Sequence, residues 1–512
     1  MPAKKPIHPS LKKISLSFFA VVVVVSGGYF GYAAWSKTFR QERNAERKDT
    51  SLAVLRFINL DDRNEDYFSD GVSEGVLNAL SRFHNLKISS RHSSFQFDSE
   101  NADVTDMGGK LSVNNLLSGS VNRQDGQVHI SVKLTNVVDK ITYWTGTFDG
   151  TIENVVFLQH EIAEAVAGKL AIHIEAQERH RQMQLANPPR REAYELYLKG
   201  RVSWNLRTPS DLKKGIEYFL SSIAADSNFA PAYSGLADSY TTLGYGSHLA
   251  PEETFPKARE AALKALQLDP TLAEPHASLA YYHFYYAWDW QAAEKEFRIA
   301  LALNPNYALA YDWYGYYLTA MQRYEEAYSM LQQTLTLDPL SVPAQTDMGF
   351  SQYYAGDYEA AANILQAAIA MNPRYALAHF WLGRVYQQEK LYDQAISEYT
   401  TSLKIVADWP VALAAIGNVY GTSGDKKNAL AILTTLSTLS EKKFVTSYGV
   451  ALVYNGIEEK AQALDWLDRA YDERSHWLVW LRTDPRWLSL HGDPRYEKMI
   501  SRVGLPKRMD HP

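Results

Sequence analysis

The side chains in this sequence that carry chemistry are few, and their spacing argues against the reactions they suggest. Gly108-Gly109-Lys110-Leu111 has the glycines and the lysine of a phosphate-binding turn. It lacks both the spacing and the final Ser or Thr of such a loop. His160-Glu161 opens like a zinc helix, but no second His stands four residues after the first. It reads as a surface pair on an amphipathic helix. Ser93-Ser94 lies in a loop without the flanking pattern of a nucleophile elbow, so a turn or hydrogen-bonding role is expected. His276 and His283 share a face of one predicted helix and read as packing residues rather than metal ligands. Asp70 with Glu74 suggests paired carboxylates; at a helix start, capping and the helix dipole account for them. The chain has no cysteine, which excludes disulfides, thiolate nucleophiles and Cys-ligated metals. No catalytic residue, metal site or cofactor is assigned, and no enzyme activity is expected.

Composition places the chain among ordinary folded proteins. Its 512 residues hold two or three domains, with 46% hydrophobic and 21% charged residues. The net charge of −6 gives no global electrostatic case for a nucleic-acid partner.

The strongest pattern is a spacing. Pro270, Pro305, Pro339 and Pro373 each follow an Asp or Asn, at intervals of 35, 34 and 34 residues. A fixed period of this size marks stacked repeats. In the unit opening at Ala308, Tyr311, Tyr314, Gly315 and Leu318 form the stripe of a first helix. Tyr324, Ala327, Leu331 and Thr334 form the stripe of a second, and Pro339 ends it. Gly349, Gly383 and Gly417 recur at the Gly315 position; Ala293, Ala361, Ala395, Ala429 and Ala463 recur at the Ala327 position. One extra residue falls near Trp290. A longer insertion around Gly244-Tyr245-Gly246 reads as a lengthened turn between helices.

Residue by residue, this pattern resembles the tetratricopeptide repeat, with about eight units over 192–474. The resemblance implies a superhelix in which the first helix of each pair lines the concave side. In that register Tyr281, Phe284, Tyr316, Phe350 and Tyr353 point inward, with Phe380 nearby and Arg384 at the edge. They are the expected strip for a protein or peptide partner, Arg384 pairing with a carboxylate of that ligand. The alternative is that these rings fill gaps between helices. Residues 475–512, rich in tryptophan, are expected to cap the last apolar face.

The first part of the chain divides differently. Residues 1–13 are a short basic tail, expected to be cytoplasmic. Ile14 to Trp35 carries no charge, and as a helix it spans roughly 33 Å, enough for a bilayer core. It is expected to be a transmembrane anchor; the competing reading is a cleaved signal peptide, with Gly31 and Ala33 near the cut. Lysines and arginines flank it almost equally, so charge alone leaves the orientation open. A polar spacer over 36–50 follows. Residues 51–175 read as an α+β domain: strands over 52–57, 86–89, 115–121, 127–135 and 142–148, and helices over 67–83, 104–111 and 152–174. A linker over 176–191 leads to the repeats.

Leu52-Ala53-Val54-Leu55-Arg56-Phe57, Tyr67-Phe68-Ser69-Asp70-Gly71-Val72-Ser73-Glu74 and Leu117-Ser118-Gly119-Ser120-Val121 resemble the TolB amino-terminal-like domain. Ser90-Arg91-His92-Ser93-Ser94-Phe95 and Phe157-Leu158-Gln159-His160-Glu161-Ile162 match it too. That domain precedes such repeats in the periplasmic part of CadC-type bacterial membrane regulators. Those regulators place a DNA-binding or cyclase domain before the anchor; here only 13 residues precede it, so neither chemistry is expected. The resemblance implies an inner-membrane protein with its N-terminus inside and its bulk in the periplasm. Its expected role is protein–protein scaffolding or sensing. The alternatives are a sensory subunit that signals through the anchor to a separate cytoplasmic partner, and a cleaved, soluble periplasmic enzyme accessory.

Overall fold

The computed structural model describes residues 50–61, 66–97, 102–172 and 189–506. The predicted anchor at 14–35, the basic tail and most of the 176–191 linker lie outside them. Among the described residues, no helix is long and apolar enough to cross a membrane.

The α+β part is built on a mixed sheet. Strands β1 (Ser51–Val54), β2 (Ile58–Asn59), β3 (Lys87–Ile88), β4 (Asn115–Gln124), β5 (Gln127–Asn136) and β6 (Thr142–Thr151) run in the order β3-β1-β4-β5-β6, with β2 also against β4. β1 is buried along its whole length because both faces are covered. Leu52 and Val54 meet helices α1 (Asp66–Leu80) and α4 (Val155–Lys169) on one face. After the short α2 (Arg91–Ser94), helix α3 (Val104–Leu111) covers Ala53 and Leu55 on the other. A strand covered on both faces shows a continuous apolar run instead of an alternation. β5 has one face on the core and alternates. Asp125 and Gly126, both with positive φ, turn β4 into β5, as an Asp-Gly pair favours.

The strand expected over 52–57 is broken. Val54 pairs with Leu117 and Ile58 with Ser120, so the β1–β2 side carries one residue more than β4. This is a bulge. Its cause is a side chain: the Phe57 backbone N–H donates to Ser73 Oγ at 2.8 Å and leaves the ladder. Arg56, on the bulge, pairs with Asp70 at 3.1 Å.

Eight consecutive helix pairs follow. They are α5 (Arg191–Leu206) with α6 (Pro209–Ala225), α7 (Ala230–Tyr245) with α8 (Pro251–Leu268), and α9 (Glu274–Tyr282) with α10 (Trp290–Leu303). Next come α11 (Ala308–Ala320) with α12 (Tyr324–Leu337), and α13 (Val342–Ala355) with α14 (Tyr358–Met371). The last are α15 (Ala376–Gln388) with α16 (Tyr392–Ile405), α17 (Pro410–Thr422) with α18 (Lys426–Ser440), and α19 (Ser447–Gly456) with α20 (Lys460–Asp472). Gly315 and Gly349 sit where helices of a pair touch: a Cβ there would stand 2.8 and 2.6 Å from Leu331 and Leu365. The extra residue near Trp290 is absorbed by a π-helical turn at His283–Ala287, which widens α9 at its end. Of the insertion expected as a turn, Gly244 and Tyr245 extend α7 itself, and the lengthened turn runs from Gly246 to Ala250.

The Asx-Pro anchors show why they recur. Asp269, Asn304 and Asn372 each accept the backbone N–H two residues on, across the proline, at 2.9–3.0 Å. The side chain closes the turn that the proline cannot close with its own N–H. Asp226 does the same without a proline. Asp338 is diverted: its carboxylate accepts from the Ser90 and Ser93 hydroxyls of the α+β part.

Asp338 belongs to a seam. Asn306 donates to the Ser81 and Leu86 carbonyls, both at 2.8 Å, and accepts from the Ile88 N–H at 3.0 Å. Ser90 N–H donates to Leu337 O at 2.7 Å. Arg201 of α5 bonds Glu74 of α1 at 2.8 Å. Ala193, Tyr194, Leu198 and Phe229 of the first repeats lie in the same hydrophobic core as the sheet. The array also meets itself: Trp288 lies 5.0 Å from Tyr471, and the Arg474 guanidinium covers Trp288.

Asn306→Ala strips three backbone groups of their partner. It is expected to cost about 1–3 kcal/mol in urea unfolding, because partly buried polar groups are left unpaired. Wild-type stability in that variant would show that the seam carries no load.

Candidate functional site

The predicted aromatic strip is not an open surface. Tyr281, Phe284, Tyr316, Phe350, Tyr353, Phe380 and Arg384 are all 4% exposed or less. For Phe284, Phe350 and Arg384 the cause is the C-terminal segment. Its turns His476–Trp480 and Pro485–Leu490 and helix α21 (Pro494–Val503) do more than cap the last repeat. They run back along the first helices as far as the end of α7. Trp480 stacks on Tyr354 at 4.5 Å and sets its edge against Phe350 and Phe284 at 5.0 and 6.2 Å. The carboxylate expected from a ligand comes from the chain itself: Arg384 bonds Asp484 at 2.7 Å, both wholly buried. Arg486 bonds the same oxygen at 2.7 Å. The Tyr353 and Trp381 rings pack on the Arg384 guanidinium. Burial works against the Asp484 charge, but Arg384 and Arg486 outweigh it and hold its carboxyl well below the usual range.

The strip is thus split. Phe284, Phe350, Tyr353 and Arg384 pack with the C-terminal segment or its neighbours. Tyr281, Tyr316 and Phe380 line a cavity of about 1390 Å³ that is partly open to solvent. Helices α1 and α4 form one wall, the first helices of the array form the others, and Trp477 closes a side. Trp477 is held by Ser247 in the lengthened turn, at 3.4 Å. Tyr245, from the same insertion, reaches the Tyr281, Tyr316 and His476 rings at 5.6–6.0 Å.

Two polar clusters stand on these walls. In the first, Arg201 joins Glu74 to Asp238, whose other oxygen accepts from Ser278 at 2.8 Å. Arg91 reaches Glu74 at 2.8 Å. Burial opposes the Glu74 charge, yet Arg201 and Arg91 hold its carboxyl below the ordinary value; burial pushes Asp238 up to about 6 despite Arg201. Asp70 and Glu74 are therefore buried ion-pair partners rather than caps. The second cluster is Asp312 on α11 and Asp347 on α13. Burial raises the carboxyl of Asp312 well above its ordinary value, and the Asp347 charge adds to this. Burial pushes Asp347 up to about 7, against hydrogen bonds from Tyr316 and Asp312.

Other expectations are corrected here. His160 is no surface residue: it lines the cavity, and burial lowers it to about 4, which keeps it neutral. His276 is paired with Glu296, Nδ1 to carboxylate 2.5 Å. Ser93 takes a hydrogen-bonding role, toward Asp338. Sequence reasoning passed over Asp312 and Asp347. The signal was a lone acid inside an apolar first-helix stripe, in Tyr311-Asp312-Trp313 and Thr346-Asp347-Met348.

The cavity thus lies between an α+β domain and the inner helices of a helix-pair solenoid. Residues 346–410 match the family model described as Tetratricopeptide repeat, so the chain carries these repeats from α13 to the start of α17. Over 154 residues it is 28% identical to Putative adenylate cyclase 3 of Rhizobium meliloti (strain 1021), covering 30% of this chain and 26% of that protein. Over 94 residues it is 38% identical to the Type IV pilus assembly protein PilF of Pseudomonas aeruginosa, covering 18% of this chain and 36% of that one. The solved Pseudomonas aeruginosa PilF structure is 23% identical, with a TM-score of 0.31, over 40% of this chain and 93% of that one. The chain thus spans between 26% and 36% of the length of these two curated relatives.

Two outcomes follow from the burial. Phe350→Ala is expected to cost about 3–5 kcal/mol of stability, read as a large drop in melting temperature. The second outcome is pH-dependent. A carboxyl raised in the folded chain keeps a proton that the unfolded chain releases, from about pH 4 upward. Stability therefore falls as pH rises from there through about 7, the Asp347 value. Asp347→Asn should flatten this fall in melts from pH 4 to 8; an unchanged slope would remove Asp347 as its source.

Proposed function

We propose that the protein is a membrane-anchored, envelope-side interaction module that takes part of its partner into the cavity between the α+β domain and the inner helices of the array. Repeats of this family serve as protein–protein interaction scaffolds, and the family match supports that general role. The observation that carries the finer reading is the shared wall. Glu74 and His160 of the α+β domain face the same 1390 Å³ space as Asp312, Asp347, Tyr316 and Phe380 of the array. Ligand pockets for small molecules commonly hold about 300–1,000 Å³, so a segment larger than one compact molecule fits.

Envelope location rests on the uncharged 14–35 stretch and on the likeness of 51–175 to TolB amino-terminal-like domains of CadC-type regulators. The relative named as a putative adenylate cyclase is matched over only 30% of this chain, and no cyclase chemistry is proposed. The α+β domain stands between the 14–35 stretch and the array in the chain, and it walls the cavity. That placement favours a sensor: an occupant would bear on the domain nearest the anchor, and through it on a separate cytoplasmic partner.

Ala308 lies on the cavity wall, and Ala308→Trp places an indole in the space. The variant should lose the partner recovered by crosslinking from membranes while keeping its melting temperature. Equal recovery from both proteins would rule out the cavity as the binding site. For topology, an alkaline phosphatase fused after Pro512 should be active, since it works only outside the cytoplasm, and the protein should stay with membranes in a carbonate wash. An inactive phosphatase would reverse the orientation.

A further inference from the structure

The second cluster on the cavity wall is incomplete as it stands. Asp312 and Asp347 are 6% and 7% exposed. Asp312 Oδ1 is fully buried and has no hydrogen-bond partner. Among the described residues, the other buried carboxylates each meet a basic side chain within ion-pair distance. Asp70 has Arg56 at 3.1 Å, Glu74 has Arg201 at 2.8 Å, and Asp238 has Arg201 at 3.5 Å. Asp338 has His92 at 3.4 Å and Asp484 has Arg384 at 2.7 Å. Asp312 and Asp347 have none among the described residues. Arg207, also on the cavity wall, attracts Asp312 from beyond contact range.

A buried carboxylate pair with no cation in reach holds a proton instead, and a cation that enters can take the place of that proton. The surroundings decide which cation that is. Tyr316 lines the cavity with Asp347, Tyr245 stacks on Tyr316, and Trp313 lies beside Tyr281 at 4.2 Å. Aromatic faces attract organic cations. A bare metal ion fits poorly: calcium takes about six to eight oxygens, and no group of three potential ligands stands ready among the described residues.

Building on the cavity reading above, we propose that Asp312 and Asp347 form a binding site for an organic cation, an ammonium or guanidinium group whose carbon chain lies along Tyr316, Tyr245 and Trp313. The group comes either from a basic side chain of a peptide or from a free polyamine. Either way the sign is opposite to the site expected from sequence, where Arg384 was to hold a ligand carboxylate.

The test uses the full chain and three probes in calorimetry and thermal melts: a blocked Ala-Arg-Ala tripeptide, its Ala-Glu-Ala counterpart, and spermidine. The arginine peptide or spermidine should bind and raise the melting temperature, and the glutamate peptide should not. Binding of the peptide alone assigns a side chain as the source; binding of spermidine alone assigns a free amine. Asp312→Asn with Asp347→Asn, close to isosteric, should weaken binding at least ten-fold; if the double variant does not fold, Asp347→Asn alone serves. Failure of both cations, equal binding of the glutamate peptide, or binding undiminished in the Asn variants would overturn the assignment. If the cations fail while Ala308→Trp still abolishes partner recovery, the cavity reading stands and the cation site falls.

Discussion

The architecture depends on one buried carboxylate. Asp484 lies between the Arg384 and Arg486 guanidiniums, accepts from Tyr448 at 3.1 Å, and has no access to solvent. Ions this deep stay charged only when their partners replace all that water supplied. Here they do, and the result fixes position more than it adds stability. Arg384 is on the sixth repeat pair and Asp484 is in the C-terminal segment, 100 residues on. Their contact holds that segment inside the superhelix, where Trp480 and Trp487 complete the aromatic core. Part of the inner surface that such a solenoid ordinarily leaves open is therefore spent on the chain's own C-terminus, and the rest faces the cavity.

The second constraint is the seam along the inter-repeat turns. These turns recur because Asp or Asn closes the backbone across proline. The same turns present polar groups to the outside at a regular interval, and the α+β domain uses two neighbours of them. Asn306 stands in for a missing strand neighbour of β3, and Asp338 gives up its own turn to receive two serine hydroxyls. A repeat that evolved to stack on itself thereby gains a side on which a different domain can dock. The cavity is what remains between that domain, the inner helices and the C-terminal segment.

What could be read from sequence follows from the range of the interactions. The repeat was legible because Gly315 meeting Leu331 and Asp269 closing its turn are local and recur. The sheet was legible where strands alternate or run apolar, as in β5 and β1, but not at the β1–β2 bulge. There a single long-range bond, Phe57 N–H to Ser73, overrides strand propensity. The aromatic strip was found as a set of residues and misplaced as a surface. Periodicity shows which ring lies on which side of a helix; it says nothing of a segment 100 residues away that covers that side. Asp70 and Glu74 were misread for the same reason, since their arginines come from elsewhere in the chain.

The two carboxylate systems inside the array illustrate a difference that local sequence conceals. Asp484 and Asp347 both sit among tyrosines and tryptophans, and burial opposes ionisation at both. Two arginines reverse that tendency at Asp484, and its carboxyl is held low. At Asp347 hydrogen bonds from Tyr316 and Asp312 fall short of reversing it, and the carboxyl rises. The same side chain is thus a fixed structural ion in one place and a group poised near neutrality in the other. What separates them is the number of cations within reach, and the position with none is the one that faces an open volume.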